Sequence, residues 1–152
     1  MMLVERHLRF SSAVLCAGPA GVFFAYGLAI EGNAEAGLAR VRALAAGDHP
    51  LPFTVLVDLR HLSLLRRICT ASDGAGVLPV GGETSISGWD EDGQLLLRVQ
   101  STLEIERDSL GVLVLVPGPA IPWSLGVPAD RVNDFLAALE DCTAGAALAA
   151  VA

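Results

Sequence analysis

The feature that most constrains the fold is a run without any charged side chain that covers residues 10–30. A run of this length can span a bilayer as one helix. Basic residues precede it and Glu31 follows it, as in a signal anchor. The motif Gly18-Pro19-Ala20-Gly21 divides the run, because glycine and proline favour a turn. We therefore predict a buried hairpin with strands Ser12–Ala17 and Val22–Ile30, and keep a membrane-anchored small domain, with a transmembrane segment over residues 10–30, as an alternative.

The composition narrows the class of protein. The chain has 152 residues, which is about one domain, and we predict a single domain over residues 1–152. Its small, apolar end, residues 143–152, is predicted to fray. Hydrophobic residues make up 53% of the chain and the mean hydropathy is +0.54. Values this high indicate little exposed surface, an assembly subunit or a membrane-touching segment.

All ten basic residues are arginines, so chemistry that needs a lysine is excluded. A lysine Schiff base and a P-loop phosphate site both belong to that class. The net charge of −7 would repel a phosphate backbone, and we expect no nucleic-acid partner. Cys16, Cys69 and Cys142 lie far apart and form no C-x-x-C pair, which is typical of a cytoplasmic protein with core thiols. We predict no metal and no cofactor.

The apolar stretch Phe53–Leu59, with prolines ahead of it, is typical of a buried central strand. Between it and the predicted strand Val22–Ile30 lies a segment with helical spacing, residues 33–46, in which Asn33 suits the N-cap and after which Gly47 suits the end. Its apolar stripe comprises Leu38, Val41, Leu44 and Ala45. A helix between two strands forms a β-α-β crossover, so we expect the two strands to be parallel with a right-handed connection.

The second half of the chain is rich in predicted strands. Residues 60–70 suit either a short helix or a strand running on from residue 59, because their apolar residues are dense enough for both. Strands are predicted over Glu83–Trp89, Gln94–Gln100, 102–106, Leu110–Val116 and Ile121–Val127. A final helix begins near Pro128 and has an apolar stripe. The predicted fold class is α+β, with a mixed sheet of about six to eight strands, one β-α-β crossover and a C-terminal helix packed on the sheet.

The densest basic cluster in this acidic chain directly follows the central strand. It comprises Arg60, His61, Arg66 and Arg67. Ligands gather at the carboxyl ends of strands in sheets with parallel strands. We therefore predict that these four residues bind an anionic ligand or an acidic partner surface. The alternative is a solvated face with arginines at a helix terminus.

No catalytic or metal-binding constellation stands out in the sequence. The histidines and cysteines lack ligand spacing, and the acidic residues 90–92 depart from the calcium-loop pattern. We therefore predict a non-catalytic binding, regulatory or assembly subunit that acts through protein–protein contacts, with a protein partner or as a homo-oligomer. A second alternative, besides the membrane-anchored domain, is an enzyme of unknown class that uses Cys69 or His61.

Two parts of the chain resemble known families. The predicted β-α-β unit over Val22–Leu62, which contains Val57-Asp58-Leu59, resembles small STAS-type regulatory domains. That resemblance implies a phosphorylatable serine soon after the strand, where Ser63 lies, although the residues around Ser63 depart from the pattern of that family. The strands and helix over Gln94–Glu140 are similar in order to bacterial PH-like domains, in which a final helix closes a barrel.

Overall fold

A computed structural model describes residues 3–18, 21–33, 36–71, 74–81, 85–89, 92, 94–118 and 121–151. In this part of the chain it contains ten strands in three sheets, two α-helices and three short 3-10 turns. The α+β class is therefore confirmed. The strands form three sheets rather than one, and every strand pair among the described residues is antiparallel.

The first sheet is a meander whose strands follow each other in chain order. Its members are β1 (Leu3–Gly18), β2 (Gly21–Asn33), β3 (Leu38–Leu44) and β4 (Pro50–Asp58). The described residues of the uncharged run therefore lie in two antiparallel strands, and the predicted hairpin pairing is confirmed, with longer strands than predicted. The hairpin is only partly buried, because Phe24 and Tyr26 are exposed. No helix among the described residues is long and apolar enough to cross a membrane.

The predicted helix over residues 33–46 is wrong, because the structure places β3 there. Ala39, Val41 and Ala43 are fully buried, whereas Arg40 and Arg42 lie on the opposite face. That alternation has the period of a strand, and it outweighs the looser helical stripe. Because β2, β3 and β4 are consecutive antiparallel neighbours, this segment is not a helical crossover between parallel strands, and the resemblance to STAS-type domains loses its basis.

Asn33 makes the predicted capping hydrogen bond, but the segment that it caps is a turn and not a helix. Its side-chain Oδ1 accepts a hydrogen bond from the backbone N–H of Ala36 at 3.2 Å, which is the bond that an N-cap would make. Gly37 follows with a φ of +68°, a backbone conformation that favours glycine. The chain then reverses into β3, and the Gly37 carbonyl accepts a hydrogen bond from the N–H of Leu59. The β2–β3 turn is thereby fixed to the end of β4.

After β4, a 3-10 turn (Leu59–His61) leads into helix α1 (Leu62–Thr70), so the helical alternative for residues 60–70 is confirmed. The six remaining strands are β5 (Gly76–Pro79), β6 (Ser85–Trp89), β7 (Leu95–Val99), β8 (Thr102–Arg107), β9 (Leu113–Val116) and β10 (Leu125–Val127). β6 and β7 form a two-stranded sheet, and the other four form a sheet in the order β10-β9-β8-β5.

The predicted C-terminal helix is confirmed as α2 (Val132–Val151), which follows a 3-10 turn at Ala129–Arg131. Its apolar stripe is buried and comprises Val132, Phe135, Leu136 and Leu139. The helix packs on β1 and β2. An added Cβ at Gly32 of β2 would lie 2.3 Å from the sulfur of Cys142, so glycine permits this close approach. One core of buried residues joins the first sheet, the later strands and α2.

Candidate functional site

Arg60, the first residue of the predicted basic cluster, is bound to an acidic residue of its own chain. Its Nε and Nη2 donate hydrogen bonds to the two carboxylate oxygens of Asp58, at 2.9 and 2.7 Å. The same carboxylate accepts from the backbone N–H groups of Arg60 and Gly81. Asp58 is 2% exposed, and its partners fix the end of β4 to the segment that precedes β6.

These contacts determine the ionisation of Asp58. Burial by itself would raise the pKa of this carboxyl group, but the hydrogen bonds from Arg60 and from the N–H of Gly81 outweigh it and lower the pKa to about 2. In return, the carboxylate raises the pKa of Arg60. The pair is an ionic contact within the fold. Arg60, one of the four residues of the predicted site, is therefore already bound to a carboxylate.

The other members of the predicted cluster lie on or next to α1. Arg66 forms an ion pair with Glu140 of α2, so it connects the two helices. Arg67 is exposed on α1, and His61 is partly exposed just before the helix. The four residues therefore lie in one region of the structure, but Arg60 and Arg66 already form ion pairs with Asp58 and Glu140. Binding of an anion or an acidic partner there stays a prediction.

The outer edge of β4 is closed by a buried side chain that the sequence did not single out. The amide of Gln100 is 1% exposed and bonds to one residue of β4 in both directions. The N–H of Leu56 donates to its Oε1 at 2.7 Å, and its Nε2 donates to the carbonyl of Leu56 at 2.8 Å. A side-chain amide thus occupies the position that a neighbouring strand would take, and satisfies two buried backbone groups.

Two further side chains bond to the same edge. The indole N–H of Trp123 donates to the carbonyl of Thr54 at 2.9 Å, and this ring is 1% exposed. The hydroxyl of Ser87, in β6, donates to the carbonyl of Pro52 at 2.6 Å. The backbone of β4 is therefore bonded along its outer edge to the second half of the chain, and a partner strand cannot pair with it there.

The edge strand β7 has the opposite character. Leu95, Leu97 and Val99 point to one side of this strand and are 61%, 60% and 59% exposed. On a half-buried antiparallel sheet the outward positions are normally polar. Leu96 and Arg98 lie on the other face, where Leu96 packs against the core. The result is a row of aliphatic side chains in solvent, which we call the β7 row.

The edge of β7 also has no partner strand among the described residues on its outer side, although Nη1 of Arg98 donates a hydrogen bond to the carbonyl of Leu97 at 2.8 Å. Among the described strands β7 pairs only with β6, in a register that runs from Ser85 opposite Val99 to Trp89 opposite Leu95. The residues of the strand include no proline, and its one charge, on Arg98, lies on the face opposite the β7 row. Natural edge strands are usually protected by charges, prolines or bulges. An unprotected edge with an apolar face is typical of a strand that pairs with another chain.

The structure gives little support to nucleophilic or metal chemistry. Burial raises the pKa of the Cys69 thiol to about 11, and the side chain is 2% exposed. A thiol in that state is a poor nucleophile, because the thiolate is the reactive form. The described residues include no group of three or more histidine, cysteine or acidic side chains that could hold a metal ion.

A comparison with known families matches no family model, and comparisons with curated proteins and with solved structures give no significant match. They support neither the resemblance to STAS-type domains nor the one to PH-like domains. Function must therefore be inferred from the surfaces of this chain alone.

Proposed function

We propose that this protein is a non-catalytic assembly subunit, and that its partner is a second copy of the same chain paired through β7. The observation that carries the proposal is the β7 row on an open strand edge. Buried polar side chains close the edge of β4, whereas β7 has no partner strand in the described chain on its outer side and exposes a row of apolar side chains. The hydrogen bond to the β7 backbone from Arg98 comes from an exposed side chain, which a partner strand can displace. Addition of a strand to an open edge is a common mode of recognition.

The sequence of β7 suits a second copy because it is self-complementary. In an antiparallel pair with a two-fold axis at Leu97, that residue faces its own copy, and Leu95 faces Val99 of the other copy. On the opposite face, Arg98 faces Leu96, so no like charges meet. The pairing would extend the two-stranded sheet to four strands across the dimer, and would join the two apolar rows on one face.

The expected affinity is moderate. Full burial of a Leu or Val side chain is worth about 1.5–3 kcal/mol. Edge-to-edge pairing leaves the joined rows on one face of the sheet and buries about half of what the six side chains expose, so it contributes about 3–5 kcal/mol. Backbone hydrogen bonds add about 0.5–1.5 kcal/mol each. Association itself costs about 4–15 kcal/mol. These opposing contributions are similar in size, so we expect a dimer that dissociates on dilution.

Sedimentation velocity over a concentration series from about 1 to about 100 µM tests this proposal. The unmodified chain should shift from monomer to dimer as the concentration rises. Leu97→Asp, which places two carboxylates at the two-fold axis, should stay monomeric. Leu110→Asp is the matched control, because Leu110 is 83% exposed in a turn outside β7. A strict monomer at every concentration, or equal dimers from both variants, would refute the proposal.

The register can be tested separately by oxidation of variants that each carry one introduced cysteine, in a background in which Cys16, Cys69 and Cys142 are replaced by alanine. Opposed Cα atoms in an antiparallel pair lie about 4.5–5.5 Å apart, within the range of a disulfide. Leu97→Cys should therefore form a covalent dimer. Leu95→Cys should not, since its own copy is four residues away, or about 13 Å. The reverse result would place the two-fold axis at another residue.

A further inference from the structure

A groove of about 260 Å³ lies on the face of the first sheet that points away from the core. Side chains of the first three strands line most of it, and the register arranges them in two rows. In one row Glu5 of β1 faces Glu31 of β2, which faces Arg40 of β3. In the other row His7 faces Ala29, which faces Arg42. Since neighbouring strands are about 4.8 Å apart, the groove is about 10 Å wide, with Glu5 at one side, the two arginines at the other and Glu31 between them. Asp48, which also lines the groove, is ion-paired with Arg9 at 2.8 Å.

Within the described part of the chain, the two arginines of the groove lack the carboxylate partners that five of the ten arginines have. Arg40 donates to the carbonyl of Ser85 at 3.0 Å, and Arg42 donates to the carbonyl of Leu51 at 3.3 Å. No carboxylate among the described residues lies within ion-pairing distance of either guanidinium. Ion pairs with carboxylates are made instead by Arg6, Arg9, Arg60, Arg66 and Arg131.

The environment of Arg40 reflects this arrangement. Burial and the charge of Arg42 lower the pKa of Arg40, and the opposing influence of Glu31 does not reverse the shift. Two guanidinium groups therefore stand side by side, partly shielded from water, on one face of β3. Planar guanidinium groups in such a pair match the two oxygens of a carboxylate.

Among the described residues, the two glutamates of the groove also lack a group of opposite charge between them. Glu5 and Glu31 are directly opposed across β1 and β2, and like charges in that position repel. Glu5 is hydrogen-bonded to Nε2 of His7 at 2.9 Å. Glu31 makes no ion pair with a described arginine and is exposed. A positive group between these carboxylates would relieve the repulsion.

We propose that the groove binds a small zwitterion of the amino-acid class. Its carboxylate would lie on Arg40 and Arg42, and its ammonium group would lie between Glu5 and Glu31. The small side chain of Ala29 leaves room between the two ends. A simple anion would meet the two glutamates, and a simple cation would meet the two arginines, so only a ligand with both charges satisfies both pairs of residues. The volume is slightly below that of drug-sized pockets, about 300–1,000 Å³, and suits a ligand this small.

Isothermal titration of the full chain with ω-amino acids of increasing length tests this inference. The probes are glycine, β-alanine and γ-aminobutyrate, with acetate and methylamine as single-charge controls. At least one zwitterion should bind roughly ten-fold more tightly than either control. Arg42→Gln and Glu31→Gln should each weaken that binding roughly ten-fold, and Arg98→Gln, an exposed arginine of β7, should not.

Three results would overturn the inference. Equal binding of acetate and the zwitterions would mean an anion site only. Absence of binding by all three zwitterions up to about 10 mM would leave the groove without the proposed ligand class. Loss of binding in Arg98→Gln would place the ligand elsewhere. If Arg42→Gln unfolds in thermal melts, Arg42→Lys keeps the charge without the planar fork and should still bind more weakly. Leu97→Asp should bind normally, so failure of the dimer and failure of this site are distinguishable.

Discussion

Replacing Gln100 by methionine should destabilise the protein, because two buried backbone groups would lose their hydrogen-bond partners. Methionine has a similar length and shape but cannot form the two hydrogen bonds to Leu56. The N–H and the carbonyl of Leu56 would then be buried without partners. Each unsatisfied group costs about 1–3 kcal/mol, and methionine gains some apolar burial in return. We expect a net loss of about 2–4 kcal/mol in the free energy of unfolding.

Urea denaturation followed by tryptophan fluorescence measures this loss, with Asn133→Met on the exposed side of α2 as the control. The control should change the free energy of unfolding by less than about 0.5 kcal/mol. Hydrogen exchange provides a second readout, because the amide of Leu56 should lose protection while other β4 amides keep theirs. A change below about 0.5 kcal/mol in Gln100→Met, with Leu56 still protected, would show that Gln100 does not close this edge.

Two further predictions concern Asp58 and Gly88. The pKa of Asp58 in the folded protein is about 2, below its usual value of about 3.9, so its contribution to stability is complete above that value and disappears as the pH falls towards 2. Denaturation at pH 5 and pH 2 should show a loss about 2 kcal/mol larger in the unmodified chain than in Asp58→Asn, and equal losses would contradict the assignment. An added Cβ at Gly88 would lie 2.4 Å from Cε3 of the buried Trp123, so Gly88→Ala should cost about 1–3 kcal/mol in urea denaturation, and an unchanged midpoint would show that the ring can move.

The fold was predictable from sequence where the spacing of the apolar residues matched only one type of secondary structure. The uncharged run is divided by a clear turn motif, and its described residues pair as the predicted hairpin. The final helix has four apolar residues at helical spacing, and all are buried. The segment 33–46 carried two periods at once: the stripe at Leu38, Val41 and Leu44 suits a helix, whereas the alternation around Arg40 and Arg42 suits a strand. Pairing with β2 and β4 decided between them, and neither partner lies within the segment.

The site was less predictable because its features depend on which face is buried. The sequence indicated a strand at Gln94–Gln100, but it could not show that the leucines at positions 95 and 97 face solvent while Leu96 packs inward. Gln100 was equally hidden, since a glutamine at a strand end is usually exposed. For the basic cluster, the sequence showed the charge of Arg60 but not its ion pair with Asp58. The separation of only two residues between them was the one feature that could have predicted this contact.

The contrast between the two strand edges is the strongest reason to interpret β7 as an interface. At β4 the fold buries a glutamine amide and a tryptophan N–H, two polar groups that are costly to bury unless bonded, and both bond to that edge. A single charge on the apolar face would protect β7 with no such rearrangement. The one charged residue of β7, Arg98, lies instead on the opposite face, so the row from Leu95 to Val99 stays apolar. In the unpaired chain Arg98 donates to the carbonyl of Leu97 at 2.8 Å. Pairing about Leu97 would replace that bond with one between the strands, bring the two apolar rows into contact and place each arginine opposite Leu96 of the other copy.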